Sequence, residues 1–248
     1  MFDAKNRLII ALDVPTANAA RELVAQLRGV AGMFKIGSQL FTAAGPSLVR
    51  EIVAQGERVF LDLKFHDIPN TVAAAGVEAA RLGVAMFNVH AGGGREMMRR
   101  VGAAVTETAE REGLAKPIIL GVTVLTSSDA ATLAEVGLTA TPPEQVERLA
   151  RLADESGLSG VVASPQEIAL VRAATREDFV IVTPGVRPSG AAQDDQKRVL
   201  TPGEAVGAGA DYIVIGRPII KAANLLAAAQ AIIDEMSFVS SPLLTTDH

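Results

Sequence analysis

Apolar residues in this chain come in short runs, separated by longer segments of helical periodicity. Leu8-Ile9-Ile10-Ala11-Leu12 is the first run and stops at Asp13; Met33-Phe34-Lys35-Ile36 is the second and stops at Gly37. Runs over 59–63, 85–90, 117–123, 160–163, 179–183 and 212–215 bring the series to eight. Apolar positions recur with helical spacing near 17–28, 46–55, 70–82, 95–112, 144–156 and 165–174, and a last helix is predicted over 220–236. Short runs bounded by Gly or Pro and alternating with helices imply parallel strands joined by crossover helices. Eight such units in 248 residues predict an α/β chain closed into a (β/α)8 TIM barrel. A doubly wound open sheet would carry a glycine-rich turn after its first strand. Here that turn reads Asp13-Val14-Pro15-Thr16. We therefore expect one catalytic domain over 1–236, with a loosely held tail over 237–248 that shows no periodicity.

Composition narrows the function without naming it. Apolar residues make up 49% of the chain, enough for a large core, and the formal net charge is −5 with no dense Lys/Arg run. That balance argues against a nucleic-acid face, though one or two local cations would serve a small anion. The chain has no cysteine, which excludes disulfides, thiolate nucleophiles and Cys-ligated metals. No apolar stretch reaches the ~18 residues of a membrane span, and the first seven residues carry no signal-like apolar core. A cytoplasmic protein with no membrane partner is the expectation.

Polar residues then mark one end of the expected barrel. Barrel chemistry sits at the C-terminal ends of strands. Asp13 ends the first run, Lys35 lies in the second, and Asp62-Leu63-Lys64-Phe65-His66-Asp67 closes the third. Strand residues two apart share a face, so Asp62 and Lys64 should point together. Spacing alone also allows a structural ion pair at the barrel rim. Convergence from three strands favours chemistry, because charges are rarely buried unless paired. After the eighth run, Ile215-Gly216-Arg217-Pro218 places a glycine, an arginine and a helix start where many barrels bind phosphate. The segment 184–198 after the seventh run is long and polar, as lids often are, though its charged part could be a solvated cluster. His66 and His90 lie at strand ends without metal-ligand spacing.

Taken together, these stretches resemble the orotidine 5′-monophosphate decarboxylase family, in its short bacterial form. The matching residues are Ala11-Leu12-Asp13, Phe34-Lys35-Ile36-Gly37, Asp62-Leu63-Lys64-Phe65-His66-Asp67-Ile68-Pro69-Asn70-Thr71, Asn88-Val89-His90-Ala91, Val124-Leu125-Thr126-Ser127, Thr183-Pro184-Gly185-Val186-Arg187, Asp195-Gln196-Lys197-Arg198 and Ile215-Gly216-Arg217-Pro218. The resemblance implies that Lys64 protonates C6 of a pyrimidine, with Asp62 beside the substrate carboxylate. It implies that Lys35 completes the charged array and touches the ribose, and that Asp13 accepts from a ribose hydroxyl. Asp67, Ile68 and Thr71 would come from the partner subunit of a homodimer. Thr126 would meet the pyrimidine; Arg187, Gln196, Gly216 and Arg217 would hold the phosphate or close over it. The sequence carries no cofactor fingerprint, and neither a cofactor nor a metal is expected.

Such residues suit a decarboxylation. Loss of CO2 from C6 leaves a carbanion with no adjacent carbonyl, and most decarboxylases use a cofactor as electron sink. A fixed ammonium at C6 would stabilise that charge and then donate its proton. Two rival readings remain open at this point. One is a related barrel decarboxylase or aldolase for a phosphorylated sugar, with Mg2+ held by Asp13, Asp62 and Asp67; Lys35 and Lys64 in the same cluster argue against a dication. The other is a non-catalytic phosphate-binding barrel, against which an intact Lys64 flanked by aspartates speaks.

Overall fold

The computed structural model describes residues 4–188 and 200–239. Eight parallel strands close in sequence order into a barrel, the first pairing the eighth. They are β1 (Leu8–Ala11), β2 (Met33–Gly37), β3 (Val59–Phe65), β4 (Met86–His90), β5 (Ile118–Val122), β6 (Gly160–Val162), β7 (Val180–Pro184) and β8 (Tyr212–Ile215). Around them run α1 (Ala4–Arg7), α2 (Ala17–Leu27), α3 (Ser38–Ala54), α4 (Pro69–Arg81), α5 (Gly94–Glu112), α6 (Ala130–Glu135), α7 (Pro142–Glu155), α8 (Ile168–Ala174), α9 (Pro202–Gly207), α10 (Arg217–Ile220) and α11 (Leu225–Val239). No helix among the described residues is long and apolar enough to cross a membrane.

Strand alternation divides the core in two. Ile9, Ala11, Met33, Phe60, Met86, Leu120, Val182 and Val214 fill the barrel interior. Their neighbours Ile10, Phe34, Leu61, Phe87, Ile119, Ile181 and Ile213 face outward and pack under the helices. Burial on both faces is why these strands read as continuous apolar runs. Two residues on from Met33, Phe60 and Met86 come Lys35, Asp62 and Asn88. The next inward-facing layer is therefore polar, and it lies directly above an apolar floor.

Several elements depart from the sequence reading. The helix expected from residue 46 already begins at Ser38. It breaks at Gly45 (φ 67°), a left-handed conformation that glycine adopts without strain, and Pro46 opens the second half. The polar stretch after β5 contains α6, capped by Asp129, whose carboxylate accepts from Thr132 N–H at 2.9 Å. No helix was expected between β7 and β8; α9 forms there behind a capping box of Thr201 and Glu204. Six residues hold too little periodicity to betray it. The expected final helix is two, α10 and α11, and α11 runs through residue 239 rather than stopping at 236. Residues 240–248 of the expected tail lie outside the described residues.

Candidate active site

Four charged side chains form one chain of ion pairs at the C-terminal mouth of the barrel. Lys35 Nζ lies 3.2 Å from Asp13 Oδ1 and 3.3 Å from Asp62 Oδ2. Lys64 Nζ lies 2.6 Å from Asp62 Oδ1. Each cation meets a carboxylate, so their burial is compensated; removing one partner of such a pair typically costs about 3–5 kcal/mol. The middle of the chain is the most buried: the side chains of Lys35 and Asp62 are 11% and 13% exposed, against 55% for Asp13 and 34% for Lys64 at the two ends. Lys64 is thus the more exposed of the two ammoniums, and Lys35 is held between the Asp13 and Asp62 carboxylates. Gly37 makes room for Lys35, since a Cβ there would stand 3.2 Å from Nζ.

Asp62 and Lys64 meet, but not because the strand alternates. Between Leu61 and Phe65 the pairing with β4 shifts register, and Lys64 has φ 54°. Among the described residues it is the only non-glycine with positive φ. A left-handed non-glycine residue costs about 1–2 kcal/mol, and such strain persists where its surroundings fix it. Here Lys64 N–H donates to Asn88 Oδ1 at 2.8 Å, while Asn88 Nδ2 donates to Asp62 Oδ1 at 2.7 Å. Sequence alone names Asn88 only within a matching stretch and gives it no role. Its signal was a polar residue inside an apolar run, in phase with the inward-facing Met86.

Opposing forces set the charge of Asp62. Burial pushes its carboxyl up, but the Lys35 and Lys64 ammoniums and the hydrogen bonds from Lys64 and Asn88 outweigh that and hold it below the ordinary carboxylate range. His90, at the end of β4, has its ring 5.4 Å from that of His66. Burial, then the charges of His66 and Lys64, hold His90 below the ordinary imidazole range against the pull of Asp62.

The ion-pair chain separates two adjoining hollows. One, of about 230 Å3, has Val122, Leu125, Thr126, Ala163, Pro184 and Val214 as its other walls. The second, of about 170 Å3, is bounded by Asp13, Gly37, Ser38, Gln39 and Leu40. Lys35, Asp62 and Lys64 line both. Thr126 is exposed on the wall of the first. Gly216 closes the far side of Asp13: a Cβ on it would stand 3.2 Å from Asp13 Oδ2. Arg217 follows in the single turn of α10, half-buried. Arg187 is buried just past β7, and its N–H donates to Leu200 O at 3.1 Å. Gln196 lies outside the described residues.

Asp67, Ile68 and Thr71 stand apart from this cluster within the chain. All three are exposed, Ile68 by 66%. The Asp67 carboxylate accepts from Ile68 N–H at 2.6 Å and is not part of the Asp13–Lys35–Asp62–Lys64 chain. Among the described residues no group of three His, Cys, Asp or Glu side chains is arranged to hold a metal ion.

Comparison with known proteins gives the family. The profile of the Orotidine 5′-phosphate decarboxylase / HUMPS family matches residues 6–232. Orotidine 5′-phosphate decarboxylase of Syntrophotalea carbinolica is 55% identical over 237 residues, covering 96% of this chain and 97% of that one. The enzyme of the same name from Geotalea daltonii is 54% identical over 236 residues, covering 94% and 97%. The crystal structure of orotidine 5′-phosphate decarboxylase from Lactobacillus acidophilus superposes with a TM-score of 0.82 at 36% identity, covering 92% of this chain and 98% of that one. With its barrel closed, its charged mouth assembled and its length matched almost end to end, this chain belongs to the Orotidine 5′-phosphate decarboxylase / HUMPS family.

Proposed function

We propose that this chain is a carboxy-lyase that converts orotidine 5′-monophosphate to uridine 5′-monophosphate in pyrimidine biosynthesis. The observation that carries this reading is the partly exposed Lys64 ammonium held 2.6 Å from an ionised Asp62, with Lys35 paired to the same carboxylate. The C6–carboxylate bond breaks, the electron pair stays on C6, and CO2 leaves. The Lys64 ammonium stabilises the developing charge and passes one proton to C6. A substrate carboxylate next to ionised Asp62 is repelled, and that repulsion is relieved as CO2 departs. No cofactor is required in this scheme.

The remaining residues divide the nucleotide between them. The apolar hollow with Thr126 takes the pyrimidine, and the hollow of Asp13 and Lys35 takes the ribose. Gly216 and Arg217 take the phosphate, with Arg187 contributing from the end of β7 and Gln196 assigned there by the family resemblance alone. Phosphate binding far from C6 supplies energy that is realised in the transition state. We further propose a homodimer in which Asp67, Ile68 and Thr71 complete the site of the partner. In support, these residues are exposed and stand outside the ion-pair chain of their own subunit.

The family name also covers the HUMPS branch, so the reading needs a discriminating assay. Loss of orotidine monophosphate absorbance should proceed after exhaustive chelation and gain nothing from added Mg2+. Two ammoniums paired with the carboxylates motivate this expectation, since they repel a dication. A reproducible metal requirement, or no turnover of the nucleotide, would overturn the reading in favour of a phosphorylated sugar.

A further inference from the structure

Asn88 is 1% exposed and touches both ends of the catalytic pair proposed above. Register explains its position. Leu61 pairs with Phe87 and Phe65 with Val89, so β3 spends four residues where β4 spends two. A bulge of this kind takes residues out of the ladder and leaves their amides without the regular strand partner. Asn88 lies in β4 between the two registered residues and faces the gap. Its Oδ1 accepts from Lys64 N–H at 2.8 Å. Its Nδ2 donates at 2.7 Å to Asp62 Oδ1, the same oxygen that Lys64 Nζ approaches at 2.6 Å. Backbone N–H can only donate and an ionised carboxylate can only accept, so these partners fix which way the amide points. The loop of contacts is closed: Asn88 to the Lys64 backbone, along the Lys64 side chain to Asp62, and back to Asn88.

We propose that Asn88 is a positioning residue, one side-chain amide that sets the Lys64 ammonium and the Asp62 carboxylate relative to each other by holding the bulge open at Lys64. This inference rests on the decarboxylase reading. Asn88 does not line either hollow beside the ion-pair chain, so it acts through its two partners. The other charged or titratable groups nearby are Lys35 of β2, Asp13 behind it, and His90 two residues on, with His66 against His90.

Chemistry supplies a signature that simple packing lacks. In Asn88→Asp the new carboxylate still accepts from Lys64 N–H but no longer donates, and it stands against Asp62 as a like charge. Two carboxylates this close share a proton. Once protonated, the new group donates to Asp62 as the amide did. Activity of Asn88→Asp, taken relative to the wild type at each pH, should therefore rise as pH falls from about 8 towards about 5.5, because the proton restores the lost donor. Asn88→Ala should stay low at every pH.

The experiment measures kcat and KM for orotidine monophosphate, and the Kd of uridine monophosphate, in wild type, Asn88→Ala and Asn88→Asp, with circular dichroism on each sample. We expect kcat to fall about 100-fold or more in Asn88→Ala with KM and Kd changed less than about threefold, the scale of an ångström-level misplacement. The inference is overturned if both folded variants keep near-normal kcat, or if KM alone moves, or if Asn88→Asp shows no acid recovery. Should neither variant fold, amide exchange in the wild type decides. Lys64 N–H exchanging as slowly as the ladder amides of β4 supports the clamp, and rapid exchange overturns it. Wild type that fails to turn over the nucleotide removes the decarboxylase reading, while the exchange result still judges the clamp.

Discussion

The Lys64 ammonium stands 2.6 Å from Asp62 Oδ1, although the backbone between them does not follow strand alternation. Lys64 sits at φ 54° within a register shift, so the strain and the chemistry fall on one residue. Stability and activity should therefore trade against each other there.

Lys64→Ala and Lys64→Gly should both lose decarboxylation by more than about 100-fold, because proton donor and charge vanish together. Their stabilities should invert the usual order. In an ordinary strand glycine is worse than alanine by about 0.5–1 kcal/mol. At positive φ alanine keeps the left-handed penalty and glycine does not, so Lys64→Gly should be the more stable by about 1 kcal/mol. Urea unfolding of the two variants checks this; equal midpoints, or alanine ahead, would show that the backbone at Lys64 is not strained.

For the phosphate, Arg217→Ala should weaken binding of the nucleoside monophosphate by about 2–4 kcal/mol, the scale of a lost charge-assisted contact. The unphosphorylated nucleoside should bind almost as before. Calorimetric titration with both ligands tests it, and equal losses would remove Arg217 from the phosphate site.

Asp67 gives a test of the dimer. If it completes the partner's site, two-fold symmetry makes the exchange reciprocal. Lys64→Ala and Asp67→Ala, each inactive alone, would then form mixed dimers with one doubly altered site and one intact site. Random pairing makes about half the dimers mixed, so about a quarter of all sites should recover. Mixing that restores nothing, with subunit exchange proven by mass, would assign Asp67 to its own chain.

His90 should make the fold acid-sensitive. Its ring is held below the ordinary imidazole value of 6.5, chiefly by burial and then by His66 and Lys64. A depressed folded value means that the unfolded chain binds the proton first. The contribution is complete above pH 6.5 and is lost as pH falls through the folded value. Urea midpoints of wild type should therefore drop more steeply below pH 6.5 than those of His90→Asn. Parallel curves for the two proteins would contradict this.

The sequence by itself determined the barrel and most of its mouth. Eight apolar runs separated by amphipathic helices leave few other topologies, because parallel strands must be buried on both faces. Asp13, Lys35, Asp62 and Lys64 were legible because polar residues at the ends of such runs have only the barrel mouth to occupy. Short helices were not legible: α6 and α9, of six residues each, rest on caps rather than on periodicity. Tertiary structure alone decided how Lys64 reaches Asp62. Period-two reasoning put them on one face, but a register shift between two strands and a side-chain amide from a third position set that geometry. Asn88 is separated from Lys64 by 24 residues, and no local rule links a left-handed lysine to an asparagine one strand away. Only closure of β3 against β4 brings the donor and the acceptor within hydrogen-bond reach.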